Sequence, residues 1–251
     1  MATIGLFIPI TAATGDNNLN TRIRKLTGAM ALATLAWTSP AALAATTTLD
    51  YQGSAYGYIS GTIKADFNGS PLTLESKSVS AGGFNMLVTG SNPQQSLIAW
   101  CVDVFHWLDP TPFVYTNGNA ATLNNYSDLQ SLVNQRYAQV TDKLTSAAFQ
   151  IAVWEIVTET GGGGYSLANG TFQATGFGNA LALATSWLNL NGPNTGNYKI
   201  AYFYDGITDN KYTQDLISMS PVPLPGAAVL MLSALGLGGL LSRRRSGKAA
   251  A

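Results

Sequence analysis

The sequence predicts an α+β fold: an antiparallel β-sheet or barrel with an inserted helical subdomain, between an N-terminal signal peptide and a C-terminal transmembrane tail. Three observations carry this. Short alternating segments broken by Gly, Ser and Asn fill the first half of the chain. From residue 127 the apolar residues recur at helical spacing, and alternation returns after residue 198. Each end holds an apolar run beside a basic cluster.

The ends of the 251-residue chain read as address segments. Arg22, Arg24 and Lys25 form a basic region, residues 27–37 an apolar region too short to span a bilayer, and Ala42-Leu43-Ala44 an A-x-A cleavage site. Residues 1–44 are thus expected to be a signal-peptide region, with Ala42 and Ala44 as the small residues of its single cleavage site and the exported domain at 45–220. At the other end Val222-Pro223-Leu224-Pro225 precedes the uncharged run 226–241, followed by Arg243, Arg244 and Arg245. A helix of that length spans about 24 Å, and flanking arginines can snorkel, so a short membrane span with its basic end in the cytoplasm is expected. Without these ends, six basic and twelve acidic residues remain, a net charge near −6. That sign favours solubility and disfavours nucleic acid as a partner.

The order of parts in 221–251 resembles the PEP-CTERM sorting signal in its Val-Pro-Leu-Pro variant. The Glu of Pro-Glu-Pro is missing, and Gly226 stands where that variant more often has Ala. The resemblance implies a Gram-negative bacterium and recognition by an exosortase-type membrane protease or transpeptidase. It also implies a transient inner-membrane anchor and delivery to the cell surface or extracellular matrix.

Within the domain, residues 46–67 alternate as strand material, and Asn68-Gly69 is a turn signal. A returning strand is expected over 72–79 and another over 84–88. Residues 96–105 read as a buried strand with Cys101, Asp103 and Phe105 on one face and Trp100, Val102 and Val104 on the other. Residues 108–125, with two prolines and many Asn, Thr and Gly, read as a long surface excursion. Ser127 is the expected N-cap of a helix over 128–140, and Thr141-Asp142 opens a second. Its stretch 146–159 is apolar on nearly every face and so belongs inside a core; glycines 161–164 stop it. A third helix is expected over 177–190, then strands over 199–204 and 213–218.

One polar carboxamide, Gln150, sits in that apolar helix, and one cysteine, Cys101, sits in the buried strand. A lone cysteine in an exported chain cannot close an internal disulfide, so it is a free thiol, an intermolecular bridge or special chemistry. A sulfur held against a carboxamide carbon by two rigid elements can displace ammonia and form an internal thioester. Trp100, Phe149 and Trp154 are the expected walls that keep water out. Two other readings stay open: an inert buried thiol beside a structural glutamine, and a catalytic cysteine using His106, the single histidine. Five residues of strand would place His106 on the face opposite Cys101, which disfavours the last.

Trp100-Cys101-Val102 with Gln150-Ile151-Ala152-Val153-Trp154 resembles the internal-thioester domains of bacterial surface adhesins, over roughly residues 51–218. Phe149 stands where that family often has Thr before the Gln. The resemblance implies a covalent anchor, not an enzyme: a surface amine or hydroxyl attacks the Gln150 carbonyl and releases Cys101. A Tyr- and Asn-rich surface could also bind extracellular polysaccharide by stacking and hydrogen bonding. Glu155 and Glu159 form a possible carboxylate pair but read as solvent-facing helix charges. Asp103 and Asp109 lack a dense calcium motif, and the glycine run lacks the Lys-Ser/Thr end of a phosphate loop, so no metal or cofactor is expected.

Overall fold

A computed structural model describes residues 45–66, 74–160, 164–206 and 213–222. The signal-region residues 1–44, the Asn68-Gly69 turn and the tail beyond Val222 lie outside these. Among the described residues no helix is long and apolar enough to cross a membrane.

Nine strands and three α-helices are described. In chain order they are β1 (Thr46–Ser54), β2 (Ile59–Ala65), β3 (Glu75–Ala81), β4 (Phe84–Val88), β5 (Gln95–Cys101), β6 (Phe113–Gly118), α1 (Tyr126–Arg136), α2 (Lys143–Thr158), β7 (Phe172–Thr175), α3 (Asn179–Trp187), β8 (Tyr198–Tyr204) and β9 (Leu216–Pro221). Six strands close an antiparallel barrel in the order β1-β4-β5-β9-β8-β6, and β3-β2-β7 form a separate antiparallel sheet. The mixed α+β class expected from the sequence therefore holds, with the helices between barrel strands β6 and β8.

Several boundaries differ from expectation, each for a physical reason. The run 46–67 is two strands in two sheets, parted at Gly57, whose φ of +88° suits glycine. The stretch 108–125 is not a surface excursion: Thr46–Leu49 of β1 and Tyr202–Tyr204 of β8 pair with β6 and so close the barrel. Ser127 lies inside α1 and caps nothing. Asn125 holds the cap position with φ of +51°, and its side-chain amide donates to the Ile156 and Glu159 carbonyls at the end of α2, 2.8 Å each. Strand β5 stops at Cys101, so the alternation expected through residue 105 ends there.

The core has two parts. Leu49, Met86, Ala99, Tyr115, Phe203 and Leu216 fill the barrel interior. The larger part lies among the helices, the small sheet and the outer barrel face, where Trp100, Ile217 and Met219 point. Helix α2 runs through it, and every residue from Ser146 to Ile156 is buried. Its start is fixed by a capping box: Thr145 N–H donates to Asp142 Oδ1 at 2.8 Å, and Asp142 N–H to Thr145 Oγ1 at 3.1 Å.

The small sheet is tightly fitted against this core. A Cβ on Gly61 in β2 would lie 2.6 Å from the buried Phe177 ring. Gly61→Ala is therefore expected to cost about 1–3 kcal/mol by overpacking. A urea midpoint unchanged from wild type would contradict the fit.

Candidate functional site

The site forms where β4 starts too late to pair the whole of β5. Register between them stops at Phe84 opposite Ala99. The Val102 N–H bonds the Asp215 carbonyl beside β9, so by alternation the Cys101 N–H and C=O face the edge that β4 has left. Buried backbone groups must find partners. Gln150 supplies both: Cys101 N–H donates to Oε1 at 3.1 Å, and Nε2 donates to the Cys101 carbonyl at 2.7 Å. A side-chain amide from α2 thus stands in for one residue of a strand. Gln150 is 0% exposed and Cys101 2%.

The Cys101 thiol donates to the Asp103 carbonyl at 2.9 Å, across the turn that follows β5. Burial pushes the thiol up to about 12. The Trp154 indole opposes the rise, although its N–H has no acceptor at hydrogen-bond geometry, and the Asp103 charge adds to it. The thiol is thereby held protonated at neutral pH, so a sulfur that adds to a carbonyl here must give up its proton as it does so.

Cys101 and Trp154 line a cleft of about 390 Å³ with Val104, His106, Trp107 and Gln214. Of the three expected walls, only Trp154 reaches it. Trp100 and Phe149 are fully buried beside it, their ring centroids 5.3 Å apart, and Tyr137 lies 5.3 Å from Trp100. They lie under the site as packing and do not line its entrance.

The position of His106 also differs from expectation. Because β5 ends at Cys101, strand parity does not reach it, and it lines the same cleft as the cysteine. Its Nδ1 lies 2.5 Å from Asp103 Oδ2. Asp103 Oδ1 accepts from the Phe105 N–H at 2.8 Å. A strand running through residue 105 would hide the Asp103–His106 pair; β5 ends four residues earlier. The Asp three residues before the sole His was the signal available. Asp109 is used locally, accepting from Thr111 N–H at 2.9 Å and Thr111 Oγ1 at 2.7 Å. Among the described residues no three His, Cys, Asp or Glu side chains group to hold a metal ion.

Glu155 and Glu159, expected in solvent, are buried, at 0% and 4% exposed. Glu155 Oε1 accepts from the Ser166 N–H at 2.6 Å, and Glu159 Oε2 from the Thr171 N–H at 2.9 Å. These carboxylates hold the chain after α2 against the end of the helix. Burial pushes Glu155 up to about 7; the Ser166 bond opposes this and the Glu159 charge adds to it. The folded state therefore holds this proton more tightly than the unfolded state. The associated stability is present below the ordinary carboxyl range and is lost as pH rises through about 7. The melting temperature is expected to fall across this window in the wild type and to flatten in Glu155→Gln. Equal slopes in the two proteins would exclude Glu155 as the source.

No protein-family model, curated protein or solved structure matches the chain.

Proposed function

We propose that this chain is an exported bacterial surface or extracellular-matrix protein, adhesin-like in action, whose Cys101 and Gln150 join as an internal thioester for covalent attachment to surface nucleophiles. The observation that carries this reading is the two-point pairing of the Gln150 amide with Cys101 beside a cleft. In the joining step the sulfur bonds to the carboxamide carbon and the carbon–nitrogen bond breaks. The thiol proton leaves with the amide nitrogen as ammonia. The Cys101 N–H already points at Oε1, where negative charge develops as the sulfur adds. The protein then acts once, as an anchor, and not as an enzyme. The parts at 222–225, 226–241 and 243–245 support sorting through the inner membrane by an exosortase-type partner to the surface of a Gram-negative cell.

The same two hydrogen bonds favour a second reading. They satisfy the amide of Gln150 within the fold, as a structural glutamine beside an inert thiol requires. The protein would then be a non-covalent structural or glycan-associated matrix component.

Intact mass of the purified exported domain, with and without methylamine, separates the two. The thioester reading expects a mass one ammonia below the sequence value, methylamine addition at Gln150, and loss of both in Cys101→Ala. The full sequence mass, with a thiol that alkylates at Cys101, would sink it.

A further inference from the structure

We propose that the cleft beside Cys101 is a non-covalent binding site for a neutral hexopyranose unit of an extracellular polysaccharide. This rests on the glycan-associated reading above, gives it a site and a ligand class, and does not need the thioester.

The cleft of about 390 Å³ lies between β3 and the chain that follows β5, and it is of a size that holds small organic ligands. Two of its lining residues carry buried polar atoms that the fold leaves unused. Among the described residues the Trp154 indole N–H has no acceptor and Gln214 Oε1 has no donor. Both residues are more than nine-tenths buried, at 5% and 8% exposed. Gln214 is otherwise held in place: its Nε2 donates to the His106 carbonyl at 3.2 Å, and its backbone N–H to the Trp107 carbonyl at 3.3 Å. Buried polar atoms are rarely left this way, because each forfeits the hydrogen bonds it would make in water. An unfilled donor and an unfilled acceptor in one cleft call for a ligand that both donates and accepts. A hydroxyl is the small neutral group that does both.

The rest of the lining suits a sugar. Phe105 and Trp107, 44% and 65% exposed, line the cleft from the chain after β5. Ser60, Ser78 and Ser80 bring hydroxyls to it from the small sheet. A pyranose has an apolar face of C–H bonds and a polar rim, and so matches aromatic rings on one wall and small polar groups on the other.

Charge and strand pairing narrow the class. The exported domain carries a net charge near −6, which repels an acidic sugar, so the unit is neutral. An extended peptide is the competing ligand. Residues 77–80 of β3 line the cleft, and among the described residues β3 has a strand partner on one side only. A peptide paired with that edge would use the β3 backbone and leave the Trp154 and Gln214 atoms unfilled. The orphaned pair therefore favours the sugar.

The test follows the indole N–H signals of the isotope-labelled, full exported chain by NMR. The probes are the methyl glycosides of glucose, galactose, mannose and N-acetylglucosamine at millimolar concentrations. Glycerol, which has hydroxyls and no apolar face, and a blocked Val-Ser-Val-Ser peptide are the comparison probes. At least one glycoside is expected to shift the Trp107 and Trp154 signals saturably, and neither comparison probe to do so. Trp107→Ala is expected to weaken that glycoside about tenfold with an unchanged urea midpoint, since the ring is mostly exposed. Gln214→Met, which keeps the length and removes the acceptor, should weaken it as well. Tyr204→Ala, in a separate groove with Asn117, Thr122 and Tyr202, should leave it unchanged. A glycoside that binds Trp107→Ala as tightly as wild type overturns the cleft but keeps the glycan-associated reading, and loss in Tyr204→Ala instead would move the ligand to that groove. Wild-type affinity in Gln214→Met overturns the part given to the buried pair. Saturable shifts with the peptide alone overturn the sugar. Glycoside shifts no larger than those with glycerol overturn the site and the glycan-associated reading together.

Discussion

Gln150→Ala is expected to cost about 2–5 kcal/mol of stability, while Cys101→Ala costs no more than about 1.5 kcal/mol. The asymmetry follows from which atoms are bonded. Both Gln150 bonds go to the backbone of Cys101, so truncating the glutamine orphans a buried N–H and a buried C=O and leaves a hole in α2. Truncating the cysteine leaves both bonds in place and removes one sulfur, whose own bond went to the Asp103 carbonyl. Urea unfolding of the two variants reads the difference directly. Equal losses would mean that the amide is not acting as a strand substitute. These losses are those of the protein with its Gln150 amide intact.

Trp100→Ala is expected to have the largest packing effect, about 3–5 kcal/mol. Trp100 is fully buried between Tyr137 and Phe149, and Gly83 lies so close that a Cβ there would approach the indole at 3.0 Å. No single shift of a neighbour refills that volume. Trp100→Phe should cost much less than alanine, because it keeps a ring at the junction and removes an indole N–H that has no partner among the described residues. Phe149 precedes Gln150 on α2, so the alanine variant should also weaken the amide pairing and slow adduct formation. An alanine variant that loses less than about 1 kcal/mol would show that the cluster repacks freely.

The parts of the fold legible in the sequence were those whose signal is local. Strand β4 was read with its observed bounds from the run Phe84–Val88. Helix α2 was legible because an all-round apolar helix can only be buried, and Asp142 at its start behaves as a capping residue. Strand β6 was not, because its partners β1 and β8 lie far away in sequence and only Tyr115 among its residues is buried. Four-residue β7 was missed for the same reason: only Phe172 and Ala174 are buried, and its pairing with β2 joins residues more than a hundred apart. In the site, Cys101 and Gln150 could be singled out because each is the odd residue in an apolar run. Their backbone pairing could not be seen, because it depends on where β4 begins relative to β5. The buried carboxylates Glu155 and Glu159 defied the usual rule for helix charges, since their partners Ser166 and Thr171 sit on a loop that gives no advance sign of folding back.

The barrel register has a mechanical consequence. Leu216 at the start of β9 lies opposite Cys101, and β9 ends at Pro221. A molecule tethered at Gln150 and pulled from its C-terminal end would be loaded almost parallel to β9. That strand is clamped by β5 on one side and β8 on the other, with rungs running across the pulling direction. Under the thioester reading, tension of this kind would strain the rungs together in shear and would not peel them one after another.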